Sequence, residues 1–271
     1  MRFIAFATVG GMLLSVPVLA ADGLSIGGGV NYSSGDYGTS TPTHITSTYV
    51  TGRYDTGPWT FKVTVPYLFV SGNTDTIPGI GHVPNSNPHG RGRAHGAGAS
   101  APTTATTTSG SADGLGDITA AVTYNAYFNA NAGLGVDLIG KVKFGTADAD
   151  KGLGTGETDY GSQIDVYKTH GEFTVFGGIG YTAMGDSTFI QLNNVFNANA
   201  GVTYKAADRT SVGLTFDARE KVSDTSSPQR ELTLFLTQSF AKAWKAQLYG
   251  LKGFSNGSPD WGVGASIGRN F

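Results

Sequence analysis

The chain has 271 residues, no cysteine and a formal net charge of −2, which removes a disulfide framework, a thiol nucleophile and any basic field for nucleic acid to follow. Charged residues make up 14%, against about 25% in an average soluble domain. Glycine, at 41 residues, is roughly twice its usual share.

The N-terminus reads as a secretion signal. Arg2 gives a minimal positive start, and residues 3–16 are apolar but too few to span a bilayer. Pro17 breaks the run, and Val18-Leu19-Ala20 carries small residues suited to a cleavage site. A signal peptide over 1–20 is therefore expected, leaving a mature chain of 21–271. An N-terminal anchor is the competing reading, and length argues against it. No later run of about 18 apolar residues follows, so no helix is expected to cross a membrane.

From there period-two alternation dominates. Strands are expected at 24–33, 45–54, 59–70, 117–128, 134–144, 160–169, 173–183, 196–205, 211–219, 230–240, 244–251 and 261–271. In the third, Trp59, Phe61, Val63, Val65, Tyr67 and Phe69 face one side, with Thr60, Lys62, Thr64 and Pro66 on the other. Pro66 cannot donate to a ladder, which predicts a bulge or kink in the wall. In the fourth, Ile118, Ala120, Val122, Tyr124, Ala126 and Phe128 oppose Asp117, Thr119, Thr123 and Asn125. Short connections at 55–58, 129–132, 170–172, 206–209 and 241–243 alternate with longer ones at 34–43, 71–113, 145–158, 184–194, 220–229 and 252–260. Short turns on one side and long loops on the other predict an all-β, transmembrane, antiparallel up-and-down barrel of twelve strands. A strand of about eleven residues rises roughly 36 Å, and a tilt near 45° turns that into about 25 Å of height, the apolar band of such barrels.

A soluble β-sandwich would also alternate. Against it, outward aromatics gather at both strand ends. Tyr54, Trp59, Phe128, Phe173, Tyr204, Phe240 and Trp244 sit by the short turns, and Phe69, Phe144, Tyr160, Tyr181, Phe196 and Trp261 by the loops. Two such girdles suit membrane interfaces. The chain ends on Phe271, in phase with Ile267, and a terminal aromatic on an alternating strand is similar to the insertion signal of outer-membrane barrels. Barrel-assembly machinery, outer-membrane lipid and lipopolysaccharide are the expected partners, in a bacterial outer membrane.

The inward face reads as Thr, Asn, Gly and Ser with scattered charges. Lys62, Asp117, Asp137, Lys141, Lys143, Asp165, Lys205, Asp217 and Arg219 are the candidate lumen-lining residues, with Lys143 opposite Asp117 as an ion pair. The scatter of both signs shows no single-sign ring. Either the lining selects small solutes by size and charge, or the polar groups only satisfy one another.

Loop 71–113 is long, with a low-complexity tract at 101–111. It reads as a flexible surface loop, a lumenal plug, or a lipopolysaccharide-phosphate contact through Arg91 and Arg93. His82, His89 and His95 lack metal-site spacing, so no metal, cofactor or catalytic residue is assigned. A lipid-modifying barrel enzyme would need a serine beside a histidine on the outer wall. His44 near the outer rim is the one histidine suited, with no local Ser/His/Asn arrangement around it.

Several motifs carry a resemblance. Val65-Pro66-Tyr67 leads to Ser71-Gly72, and Gly114-Leu115-Gly116-Asp117-Ile118 opens a strand. Gly154-Thr155-Gly156-Glu157, Gly180-Tyr181-Thr182 with Gly185, Gly201-Val202-Thr203-Tyr204 and Ser258-Pro259-Asp260 follow. In this order they resemble the outer-membrane transporter family associated with the meta pathway of phenol degradation. Lys141-Val142-Lys143-Phe144-Gly145 departs from it, since the family usually has proline before that glycine. The resemblance implies a passive barrel admitting small, often aromatic or hydrophobic molecules. A non-transporting structural or adhesive surface barrel is the alternative.

Overall fold

A computed structural model describes residues 22–87, 90–91, 109–240 and 243–271; the expected signal peptide lies outside the described residues. The wall strands are β1 (Gly23–Gly35), β2 (Thr43–Thr56), β3 (Trp59–Asn73), β6 (Ser109–Leu115), β7 (Thr119–Asn129), β8 (Leu134–Lys143), β9 (Asp159–His170), β10 (Phe173–Ala183), β11 (Val195–Ala207), β12 (Thr210–Arg219), β13 (Gln229–Ser239), β14 (Trp244–Gly253) and β15 (Trp261–Asn270). Two short strands, β4 (Thr76–Ile77) and β5 (Gly81–His82), form a separate hairpin. Consecutive wall strands pair antiparallel, except that β6 and β7 both pair with β3 and not with each other, and β1 also pairs with β15, so the sheet closes on itself. Closure satisfies the wall's backbone internally around the ring, with β6 paired, among the described residues, on one side only, to β3.

β6 and β7 share one position, giving a twelve-stranded wall. β6 pairs with the upper half of β3 from Tyr67 to Asn73, and β7 with the lower half from Trp59 to Thr64. The break between them faces Pro66, whose missing N–H ends the ladder. Gly116 N–H spans the gap to the Pro66 carbonyl at 2.9 Å. β6 is strand where the sequence reads as loop, and it takes in Ser109–Ser111 of the low-complexity tract. Small polar residues give little alternation there; pairing with β3 orders them.

The outward face is apolar and bare. Ile179 is 69% exposed, Leu234 and Val50 59%, an arrangement water would penalise and hydrocarbon would not. Twelve of the thirteen expected girdle aromatics lie on it. Phe128 does not. The register shifts between Asn125 and Tyr127, which turns Tyr127 outward instead and leaves Phe128 half-buried. A one-residue slip moves every later side chain to the opposite face.

Glycine has a structural use on the inward face. Tyr49, Tyr167, Phe176, Phe235 and Tyr249 each stand in register with Gly29, Gly135, Gly201, Gly213 and Gly264 on the next strand. A Cβ at any of those glycines would lie within 2.5 Å of the facing aromatic side chain. Five aromatic rings thus lie flat over bare backbone, filling lumen that larger neighbours would block.

Candidate functional site: the barrel lumen

The loop-side end of the lumen is covered by packed loops. The β4–β5 hairpin puts Ile77, Ile80 and Val83 into one apolar cluster with Ile190, Leu192, Val195 and Val222. A second cluster joins Ala147 and Leu153 of loop 144–158 to Ile45, Leu68 and Val70 on the inward faces of β2 and β3. Polar fastenings accompany the apolar ones. Arg219 donates to the carbonyls of Gly79 at 2.7 Å and Ile80 at 2.8 Å. Arg91 donates to the carbonyls of Asn73 at 2.6 Å, Thr76 at 3.0 Å and Gly152 at 3.4 Å. Burial pulls the Arg91 guanidinium below its usual range, with Asp75 opposing the shift. Arg91 is 5% exposed and both of its terminal nitrogens are directed to carbonyls within the cover, a placement that matches the lumenal-plug expectation rather than an exposed phosphate contact. Arg93, His89 and His95 lie outside the described residues.

Beneath this cover is a cavity of about 170 Å³. Pro66, Leu68, Ile139 and Leu153 supply apolar lining, with Gly79 and Ile80 of the hairpin as its roof. Lys141, Lys143, Asp117, Asp159, Gln163, Asn197, Asp217 and Arg219 supply the polar part. Lys143 is held between Asp117 at 3.2 Å and Asp159 at 2.9 Å. In register it faces Thr119, and it reaches Asp117 because that residue sits in the β6–β7 break.

The remaining candidate residues fall into two rows that the sequence does not display. Strand register carries Asp137 to Asp165, then Gly178, Asn199, Asp217 and Glu231. Asp137 lies near the short-turn end of β8, and Glu231 near the loop end of β13. Because strands in a barrel are tilted, a row that follows register climbs the wall. A second row runs Arg53, Lys62, Ala121 and Lys141, climbing the other side. Along these two rows the charges are sorted by sign, while Arg219, two residues from Asp217, and the Asp117–Lys143–Asp159 group stand outside the sorting. Lys205 stands apart at the short-turn end, 3.1 Å from Asp208. Arg53, bound to Asp55 at 2.7 Å, and Glu231 were not among the sequence candidates. Parity would have found Glu231, which is in phase with Thr233 and Phe235.

Above the acidic row, Tyr37 is buried, and desolvation together with the Glu231 charge pushes its phenol above the usual range. On the outer wall His44 accepts or donates a hydrogen bond with the Tyr32 hydroxyl at 2.9 Å and stacks on its ring. Among the described residues no serine is hydrogen-bonded to it.

A family model described as "Putative MetA-pathway of phenol degradation" matches residues 80–271. A search of curated protein sequences finds no match. Among solved structures, the COG4313 outer membrane channel from Pseudomonas putida F1 is similar at 11% identity and a TM-score of 0.66, covering 94% of this chain and 97% of that one. The NanC porin is similar at 12% identity and a TM-score of 0.52, covering 92% of this chain and 98% of that one. At these identities the likeness is one of fold.

Proposed function

We propose that this chain, which belongs to the phenol-degradation MetA-pathway family, is a passive channel of the bacterial outer membrane for small solutes, without cofactor or energy source. The observation that carries the reading is the contrast between the two faces of one closed wall. Apolar side chains stand bare outside between two aromatic girdles, while carboxylates, amides and cations line a cavity inside. The channel and porin named above share this architecture. The half-apolar lining, with Pro66, Leu68, Ile139 and Leu153, supports solutes that carry an apolar or aromatic body. Lipid around the girdles and the assembly machinery reading the Phe271 strand are the partners this reading requires.

The test is reconstitution. Purified barrel in liposomes, swelled against graded sugars and aromatic acids, is expected to admit the smallest solutes and favour aromatic ones of equal size. Absence of both swelling and discrete conductance in planar bilayers would reject the channel.

A further inference from the structure

The acidic row is an expensive arrangement for a wall to carry. Asp137 faces Asp165 directly across β8 and β9, and Asp217 faces Glu231 across β12 and β13. Like charges directly opposite each other destabilise a sheet pair, and threonine or asparagine would fill those places without that cost. The row also lacks the usual remedy. Asp137, Asp165 and Glu231 each receive a neutral amide, from Asn125, Gln163 and Gln229, at 2.6 Å in every case. Asp165, Asp217 and Glu231 are in no ion pair among the described residues.

Asp217 is the sharpest case. It is 4% exposed, it lines the cavity with Asn199, and neither of its carboxylate oxygens meets a hydrogen-bond donor among the described residues. The Thr215 hydroxyl on the same face is turned to the Ala200 carbonyl at 3.5 Å. One oxygen of Asp165 is likewise without a donor. That carboxylate leans over Gly178, where a Cβ would lie 1.8 Å from its Oδ1, so the glycine keeps the row continuous toward Asn199. Buried charge with no counterpart is retained where something else supplies the counterpart.

Three cations of the lumen have partners off the row, although Arg219 also lies within electrostatic reach of Glu231, and Lys62 and Lys141 stand in the basic row. Arg53 is spent on Asp55, Lys143 on Asp117 and Asp159, and Arg219 on the roof carbonyls. No three acidic or histidine groups converge as a metal cage among the described residues. The row is therefore a line of separate stations, and it suits a monovalent cation or an ammonium group that moves on, not a chelated divalent ion.

We infer that the lumen conducts cations in preference to anions, and that Asp165 and Asp217 set the preference. This rests on the channel reading. The experiment is the reversal potential of single channels in a KCl gradient, for the wild type and for D165N/D217N, with folding confirmed by heat-modifiable gel mobility. The wild type is expected to pass K⁺ over Cl⁻, and the double variant to lose about fivefold of that ratio, the weight of one unit charge 4 Å from another in bulk water. A liposome arm compares two permanently charged aromatic probes, benzyltrimethylammonium and benzenesulfonate; the first is expected to enter faster, and the variant to narrow the gap. Folded wild-type channels that conduct with Cl⁻ equal or favoured, or a ratio unmoved by D165N/D217N, overturn the inference and leave the channel standing. Silence in bilayers together with exclusion of both probes overturns the channel and the inference with it.

Discussion

Replacing Arg219 by methionine should loosen the roof of the lumen without dissolving the wall. The substitution keeps the length and apolar body of the side chain and removes the donors to Gly79 and Ile80. Hydrogen bonds from a charged donor contribute roughly 1.5–3 kcal/mol each. The two share one guanidinium and are not additive, so about 2–4 kcal/mol is a fair sum. That shifts the docked-to-undocked ratio of the hairpin by about 30- to 1,000-fold. Opposing release, Ile77, Ile80 and Val83 stay buried in the apolar cluster, and three aliphatic side chains contribute roughly 5–9 kcal/mol. The apolar anchors therefore outweigh the lost bonds, and R219M is expected to remain mostly docked while opening far more often. Amide exchange reads this directly, because Ile80 N–H is bonded to the Ile77 carbonyl at 3.1 Å and Val83 N–H to the Asp75 carbonyl at 3.0 Å. Both amides should exchange faster by the same factor, with β12 amides unchanged. Unaltered exchange at Ile80 and Val83 would refute the idea that Arg219 fastens the roof. Adding I80D should push the hairpin to the undocked side and raise conductance in the same bilayers.

The other expectations concern the wall. K143M leaves Asp117 and Asp159 facing each other without their cation, which should cost roughly 3 kcal/mol of unfolding free energy by the usual penalty for a broken, largely buried pair; K143M/D117N/D159N should recover most of it in the same denaturant titration. G213A drives a Cβ to 2.1 Å from the Phe235 ring, an overpacking cost of about 1–3 kcal/mol, and G213A/F235L should melt closer to the wild type than G213A does. F271A keeps its backbone bond to the Leu24 carbonyl at 2.8 Å, so refolding into detergent should be normal while the yield of assembled barrel in cells falls. Equal yields in cells would remove the terminal aromatic as an assembly signal.

How much of this was legible before the structure depends on what each feature asks of the sequence. Strand existence asks only for period two, and the long wall strands from 59 onward other than β6 show it because one face is apolar. β6 escaped because Ser109, Gly110, Ser111 and Ala112 offer no apolar side to read; its order comes from pairing with β3. Phe128 was assigned to the wrong face because a bulge adds one residue without altering composition. The Lys143–Asp117 pair was readable as a pair but not in its register, since Lys143 faces Thr119 and reaches Asp117 across the β6–β7 break.

The two charge rows were invisible for a different reason. A row is a property of register between strands, and register depends on turn lengths and bulges accumulated around the barrel. Asp137, Asp165, Asp217 and Glu231 are spaced 28, 52 and 14 residues apart along the chain, each on a different strand. Five strand pairings place Asp137, Asp165, Asn199 and Glu231 on one climbing line; the same four positions shifted by one residue would face lipid. Register thus draws an acidic and a basic path out of a lining that looks mixed in composition. If the proposed channel conducts, a solute inside would meet like charges along its route and the opposite sign across it, and that ordering, not net lumen charge, is what the fold would contribute to selection.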